Sequence, residues 1–185
     1  MSEKTQTPPK VKLATVWLCG CSGCHMSFLD LDERLVDLAQ IADLTTSPVT
    51  DVKEVPKVDL ALIEGGVGNE HNLHVLKRFR EQAKILVSLG DCAGFGCVPM
   101  LRNAFDKQDV LDRAYALTES TISGAAPSSD AVPRLTDKVR PIHEHVKVDA
   151  FIPGCPPSAD VIWYAVQEIL AGRTPVFDEV PMSYT

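Results

Sequence analysis

No apolar run in the 185 residues approaches the roughly 18 that a membrane-spanning helix needs, so no helical crossing is expected. There is no excess of basic side chains either. The 18 Lys and Arg are outnumbered by 25 Asp and Glu, for a formal net charge of -7. That balance excludes the basic stripe of a nucleic-acid surface and disfavours docking on anionic lipid. Residues 1–10 are polar and carry Pro8 and Pro9 without an apolar core. They read as a flexible arm and not as a secretory signal. Repeats and low-complexity tracts are absent. So are the Gly-x-Gly-x-x-Gly fingerprint, the phosphate loop ending in Gly-Lys-Ser/Thr, and any Ser-His-Asp or paired-carboxylate arrangement. The expected location is the cytoplasm, where six cysteines serve as thiols or metal ligands and not as disulfides.

What is present suits one domain over residues 11–185. A hydrophobic share of 45 % supports a real core at this length. Residues 12–18, 58–63, 84–89 and 148–152 read as buried strands, and Pro48 leaves room only for a short edge strand over 41–50. Helical stripes are expected over 26–40, 70–83 and 108–117. A last helix is expected to start at Cys155-Pro156-Pro157, because proline suits a first helical turn, and to stop at Gly172. Residues 118–141, with Pro127, Pro133, Pro141 and Gly124, read as an excursion over the surface. The tail 173–185 has no clear pattern. Strand–helix alternation implies a doubly wound α/β fold, a mostly parallel sheet with helices on both faces.

The cysteines fall where such a sheet places ligands, just beyond the carboxyl ends of strands. Cys19, Cys21 and Cys24 follow the first strand, Cys92 follows Leu86-Val87-Ser88-Leu89-Gly90-Asp91, and Cys155 follows Phe151-Ile152-Pro153-Gly154. The Cys21-x-x-Cys24 pair can face one centre from one loop, and Cys92 and Cys155 complete four soft ligands, the set that holds an iron–sulfur cubane. Three plainer readings stand beside this one. A structural zinc site would use the same thiols but usually shows two paired knuckles. A redox Cys-x-x-Cys would leave Cys92 and Cys155 idle. Inert core thiols are common, and that is the expectation for Cys19 and Cys97. Cys97 nonetheless lies five residues after Cys92 in a glycine-rich loop, close enough to exchange with it.

Glu64-Gly-Gly-Val-Gly-Asn69 has two readings: a glycine loop allowing close backbone approach, or a strand-to-helix turn with Asn69 as N-cap. Glu64 is a carboxylate near the site or an exposed turn residue. His25 is a hydrogen-bond donor to a cluster sulfur or a plain helix-start residue. His71, His74, His143 and His145 make no metal spacing.

Taken in order, Trp17-Leu18 with Cys21-Ser-Gly-Cys24, Glu64-Gly-Gly, Gly90-Asp-Cys92-Ala93 and Gly154-Cys155-Pro-Pro157 resemble the small subunit of [NiFe] hydrogenases over residues 12–172. The stretch from Leu60 to Arg80, and the lack of a cysteine- or histidine-rich C-terminal region or a twin-arginine leader, resemble the soluble, bidirectional, NAD-linked branch. A quinone-reducing complex I subunit is similar in motif order but carries two adjacent cysteines in its first motif.

The resemblance implies a flavodoxin-like fold with a proximal 4Fe-4S cluster on Cys21, Cys24, Cys92 and Cys155, and Glu64 and His25 nearby. The nickel–iron centre belongs to a separate large subunit. This chain carries electrons from it toward iron–sulfur and flavin (diaphorase) subunits that reduce NAD, and no catalytic residue is expected in the chain itself. Segments 118–141 and 173–185 are expected at partner interfaces. Some relatives are suggested to hold a second FMN; the missing phosphate loop speaks against it here. The reading of another class is an FMN-binding flavodoxin-like module whose cysteines are structural.

Overall fold

The computed structural model describes residues 9–52 and 54–178. The expected arm at 1–10 and the end of the tail, 179–185, therefore fall almost wholly outside the described residues. Five strands form the main sheet: β1 (Val11–Trp17), β2 (Ala42–Thr46), β3 (Val58–Glu64), β5 (Ala83–Leu89) and β7 (Ala150–Ile152). Their order is β2-β1-β3-β5-β7, and every pairing is parallel. Counting only these strands, this is the flavodoxin-like order, with the reversal between β1 and β3.

Alternation along the strands sends side chains to two faces. Leu13, Leu60, Leu62, Val87 and Leu89 pack on one side, against Phe28, Leu31 and Leu38 and the buried stripe Val161, Ile162, Ala165, Val166 and Ile169 of α6 (Ala159–Leu170). Ala14, Ala61, Ile63 and Leu86 pack on the other, against Leu76 and Phe79 of α3 (Glu70–Gln82). Both faces are thus covered, as a parallel sheet requires.

Three expectations need correction. The helix over 26–40 is two, α1 (Gly23–Leu29) and α2 (Arg34–Ile41). The break holds Asp32 at φ 50, a conformation Asp tolerates better than most residues, and it lets Phe28, Leu31 and Leu38 all reach one core. The excursion at 118–141 is not irregular throughout. Its end is β6 (Leu135–Arg140), paired antiparallel with β4 (Val67–Asn69) of the glycine loop, and Val139 is buried beneath it. The final helix begins at Ala159, not at the prolines: the Ser158 side chain accepts from Val161 N–H and fixes its start. The Cys155–Pro156 peptide is cis. By contrast, Asn69 does cap α3, accepting from Asn72 N–H at 2.8 Å. The remaining helices are α4 (Asp91–Phe95) and α5 (Lys107–Tyr115).

Candidate metal centre

Three strands end in cysteines at one edge, and each loop is bonded to the next. From β1, Leu18 N–H donates to the Glu64 carbonyl at 2.8 Å, and Cys19 and Gly66 exchange backbone bonds at 3.0 and 2.8 Å. From β5, Gly90 N–H donates to the Ile152 carbonyl at 2.7 Å and Asp91 N–H to the Gly154 carbonyl at 2.8 Å. Gly154 N–H returns a bond to Asp91 Oδ1 at 2.8 Å. Ser27 Oγ on α1 donates to the Pro157 carbonyl at 2.5 Å and joins the β1 loop to the β7 loop.

Glycine makes these approaches feasible at two points. Gly65, at φ 84, would place a Cβ 2.9 Å from the Cys19 carbonyl. Gly90, at φ 79, would place one 2.3 Å from Cys24 Sγ. The glycine loop therefore combines both of its readings: it lets the first cysteine loop pass close by, and it leads into the capped helix.

The four expected ligands lie together. Cys24 and Cys92 are buried, and Cys21 and Cys155 are exposed. Burial pushes the Cys24 thiol up, and Glu64, Cys92, Cys21 and Cys155 add to it. Burial also pushes Cys92 up to about 12, with Cys97, Cys155 and Cys21 contributing. Thiols that raise one another in this way stay protonated alone and give up their protons on binding a metal.

Cys19 and Cys97 are half-buried and belong to neither core. Cys19 points toward Gly68. Its thiol is raised by burial against the opposing charge of Arg102. Cys97 stands 3.9 Å from Cys155, Sγ to Sγ, a proximity that five residues of separation from Cys92 did not foretell.

Glu64 is not an exposed turn carboxylate. It ends β3 at 1 % exposure. Its oxygens accept Cys24 N–H at 3.3 Å and His25 N–H at 3.1 Å, and Oε2 also meets His25 Nδ1. His25 is no donor to the cysteine group, because its Nε2 is taken by Thr15 Oγ1 at 3.0 Å, which donates to Ser47 Oγ at 2.7 Å. The sequence signal for this was slight: an apolar run ending in a carboxylate directly before two glycines.

The donor set fits an iron–sulfur cluster, being all sulfur and held on backbone that is itself bonded in place. Among the described residues no three His, Cys, Asp or Glu side chains are gathered for a single metal ion. Four irons at the corners of a cubane spread their thiolates wider than one ion does.

Comparison with known proteins follows the same lines. Residues 21–169 match the model of the family "NADH ubiquinone oxidoreductase, 20 Kd subunit". The delta subunit of the NAD-reducing hydrogenase HoxS of Cupriavidus necator is 45 % identical over 89 % of this chain and 80 % of its own length. A subunit of the F420-non-reducing hydrogenase of Methanothermobacter thermautotrophicus is 43 % identical, again over 89 % of this chain, but the match spans 54 % of that longer protein. Among solved structures, an NAD+-reducing [NiFe]-hydrogenase in its H2-reduced state superposes with a TM-score of 0.92 at 42 % identity, over 96 % of this chain and 100 % of that one. A [NiFeSe] hydrogenase of Desulfomicrobium baculatum, at 16 % identity and TM-score 0.56 over 92 % of this chain and 68 % of that one, shares the fold alone. The chain belongs to the NADH ubiquinone oxidoreductase 20 kDa subunit family, and its relatives there include subunits of NAD-reducing and F420-non-reducing hydrogenases.

Proposed function

We propose that residues 11–185 form one electron-transfer domain of a cytoplasmic, heteromeric hydrogenase, holding a 4Fe-4S cluster on Cys21, Cys24, Cys92 and Cys155. The observation that carries the reading is the gathering of those four thiols, from three strands, at one edge of the sheet. When bound, the cluster would pass single electrons from the nickel–iron centre of the large subunit toward a NAD-reducing module. The chain's own part is to hold the thiols and seat its partners. Glu64 fixes the Cys24 and His25 amides from below, and Asp91 ties the Cys92 loop to the Cys155 loop. Around the edge, Trp17, Met26, Phe95, Val98, Leu101 and Phe105 are exposed apolar side chains. Such a rim suits burial under partner subunits, and burial also keeps water from the cluster.

The test is to purify the chain with the subunits that accompany it. Four irons and four acid-labile sulfides per chain, with a paramagnetic signal on reduction, are expected. Cys24→Ser is expected to abolish both and to uncouple H2 oxidation from NAD reduction. A yellow, iron-free complex with full activity would instead support the FMN module. The 43 % identity to the F420-non-reducing hydrogenase protein favours one other acceptor arrangement. Assaying the complex with NAD as sole acceptor separates the two.

A further inference from the structure

We infer that Cys97 is a fifth working thiol of the centre, a reserve ligand placed to take over the iron of Cys155. The inference rests on the iron–sulfur reading above. Cys97 Sγ lies 3.9 Å from Cys155 Sγ, and Cys97 is among the neighbours that raise the Cys92 thiol. It therefore meets one of the four ligands and neighbours a second, and these two come from different strands. Packing does not account for it, since it is half-buried and absent from both cores. The backbone fixes its direction. Cys97 has φ 39 and ψ -134, a conformation rare for any residue with a side chain, directly after Gly96 at φ 86. Relaxing that backbone would turn the thiol away from Cys155.

The corner concerned is an accessible one. Cys24 and Cys92 are buried, whereas Cys155 is exposed, and its thiol is the one that Cys97 meets. The exchange is a ligand substitution. Cys97 loses its S–H proton as its sulfur bonds the iron; the Cys155 sulfur leaves that iron and takes up a proton. One Fe–S bond forms, one breaks, and no electron moves. Cys21 is exposed too, but the thiol that Cys97 meets is that of Cys155, so no such replacement is expected for Cys21.

The experiment compares the intact complex carrying C97A, C155A, C155A/C97A or C21A, by iron and sulfide content and by electron paramagnetic resonance of the reduced protein. C97A is expected to hold wild-type iron. C155A is expected to keep at least half of it with a shifted resonance, while C155A/C97A and C21A fall at least tenfold. If C155A is as empty as the double variant, or the double variant keeps as much iron as C155A, the inference is overturned. Should C155A fail to assemble, the full-length C155S and C155S/C97S chains, reconstituted with ferrous iron and sulfide, are read by the same criterion. Iron-free wild-type protein would instead overturn the iron–sulfur reading itself.

Discussion

The two ends of the sheet are held by different forces. At the amino end, the strands are tied by ion pairs on the surface. Lys84 pairs with Asp59 at 2.6 Å, Lys10 with Asp43 at 3.4 Å, and Arg80 with Asp149 at 2.6 Å. These lie between long side chains that are partly or largely solvated. At the carboxyl end, the loops are tied by backbone bonds and by the buried oxygens of Glu64. Surface pairs are worth little, about 0–1 kcal/mol, and weaken with salt. Buried directional bonds are costly to leave unmade, about 1–3 kcal/mol per stranded group. A thiol ring has to hold its spacing, and short bonds without a flexible stem do that better than a pair of long charged side chains.

The comparison can be broken most severely at Gly90. Gly90→Ala would set a Cβ 2.3 Å from Cys24 Sγ, at a φ of +79 that alanine disfavours. Loss of the cluster is expected, with a fall in stability of about 1–3 kcal/mol from backbone strain and overpacking. Iron content and a urea midpoint check it. A Gly90→Ala chain with wild-type iron would show the carboxyl edge to be more pliant than described.

Glu64→Leu comes next. It leaves Cys24 N–H and His25 N–H without an acceptor in a buried site, for a loss of about 1–3 kcal/mol for each amide. The loss should persist at high salt, which a denaturation series in sodium chloride would read. Asp59→Asn should do the opposite. Asparagine can still accept Lys12 N–H but loses the Lys84 pair, so a change of about 1 kcal/mol or less is expected, and it should vanish as salt rises. Equal salt dependence in both variants would erase the distinction between the two ends.

The smallest effect is expected at His145, away from both ends. Burial pulls its imidazole below the usual histidine range, against the raising influence of Glu144, and its Nε2 has no hydrogen-bond partner among the described residues. A depressed value means that the unfolded chain binds the proton first. Its stabilising contribution is therefore full above about pH 6.5. It is lost as pH falls through the depressed value. His145→Gln should flatten that acid-side decline in urea midpoints, without changing them at pH 8.

Much of this was legible in the chain itself. Leu60-Ala61-Leu62-Ile63 and Leu86-Val87 are apolar on both alternating faces, which only a covered parallel sheet explains. Cysteines directly after such runs had to share its carboxyl edge. What stayed hidden depends on contacts distant in sequence or on single dihedrals. The pairing of Val67 with Arg140 joins segments over 70 residues apart, and neither segment announces its partner. The break between α1 and α2 turns on one positive φ at Asp32. The direction of the Cys97 thiol turns on its own φ and ψ, which composition does not encode. Glu64 was visible as a residue but not as the acceptor for two amides from another loop.

The strand order has a temporal consequence. β7, which delivers Cys155, is one of the two edge strands of the main sheet and the last of its five to be synthesised. Cys155 emerges about 130 residues after Cys24, which at 5–20 residues per second is roughly 7–26 s of translation. Until β7 is made the proposed set of four ligands lacks Cys155, and from residue 97 onward Cys97 is the thiol placed to stand in for it. On the proposed ligand set, loading through Cys155 follows the synthesis of β7, so a factor that delivers iron and sulfide to that set would meet all five strands of the main sheet.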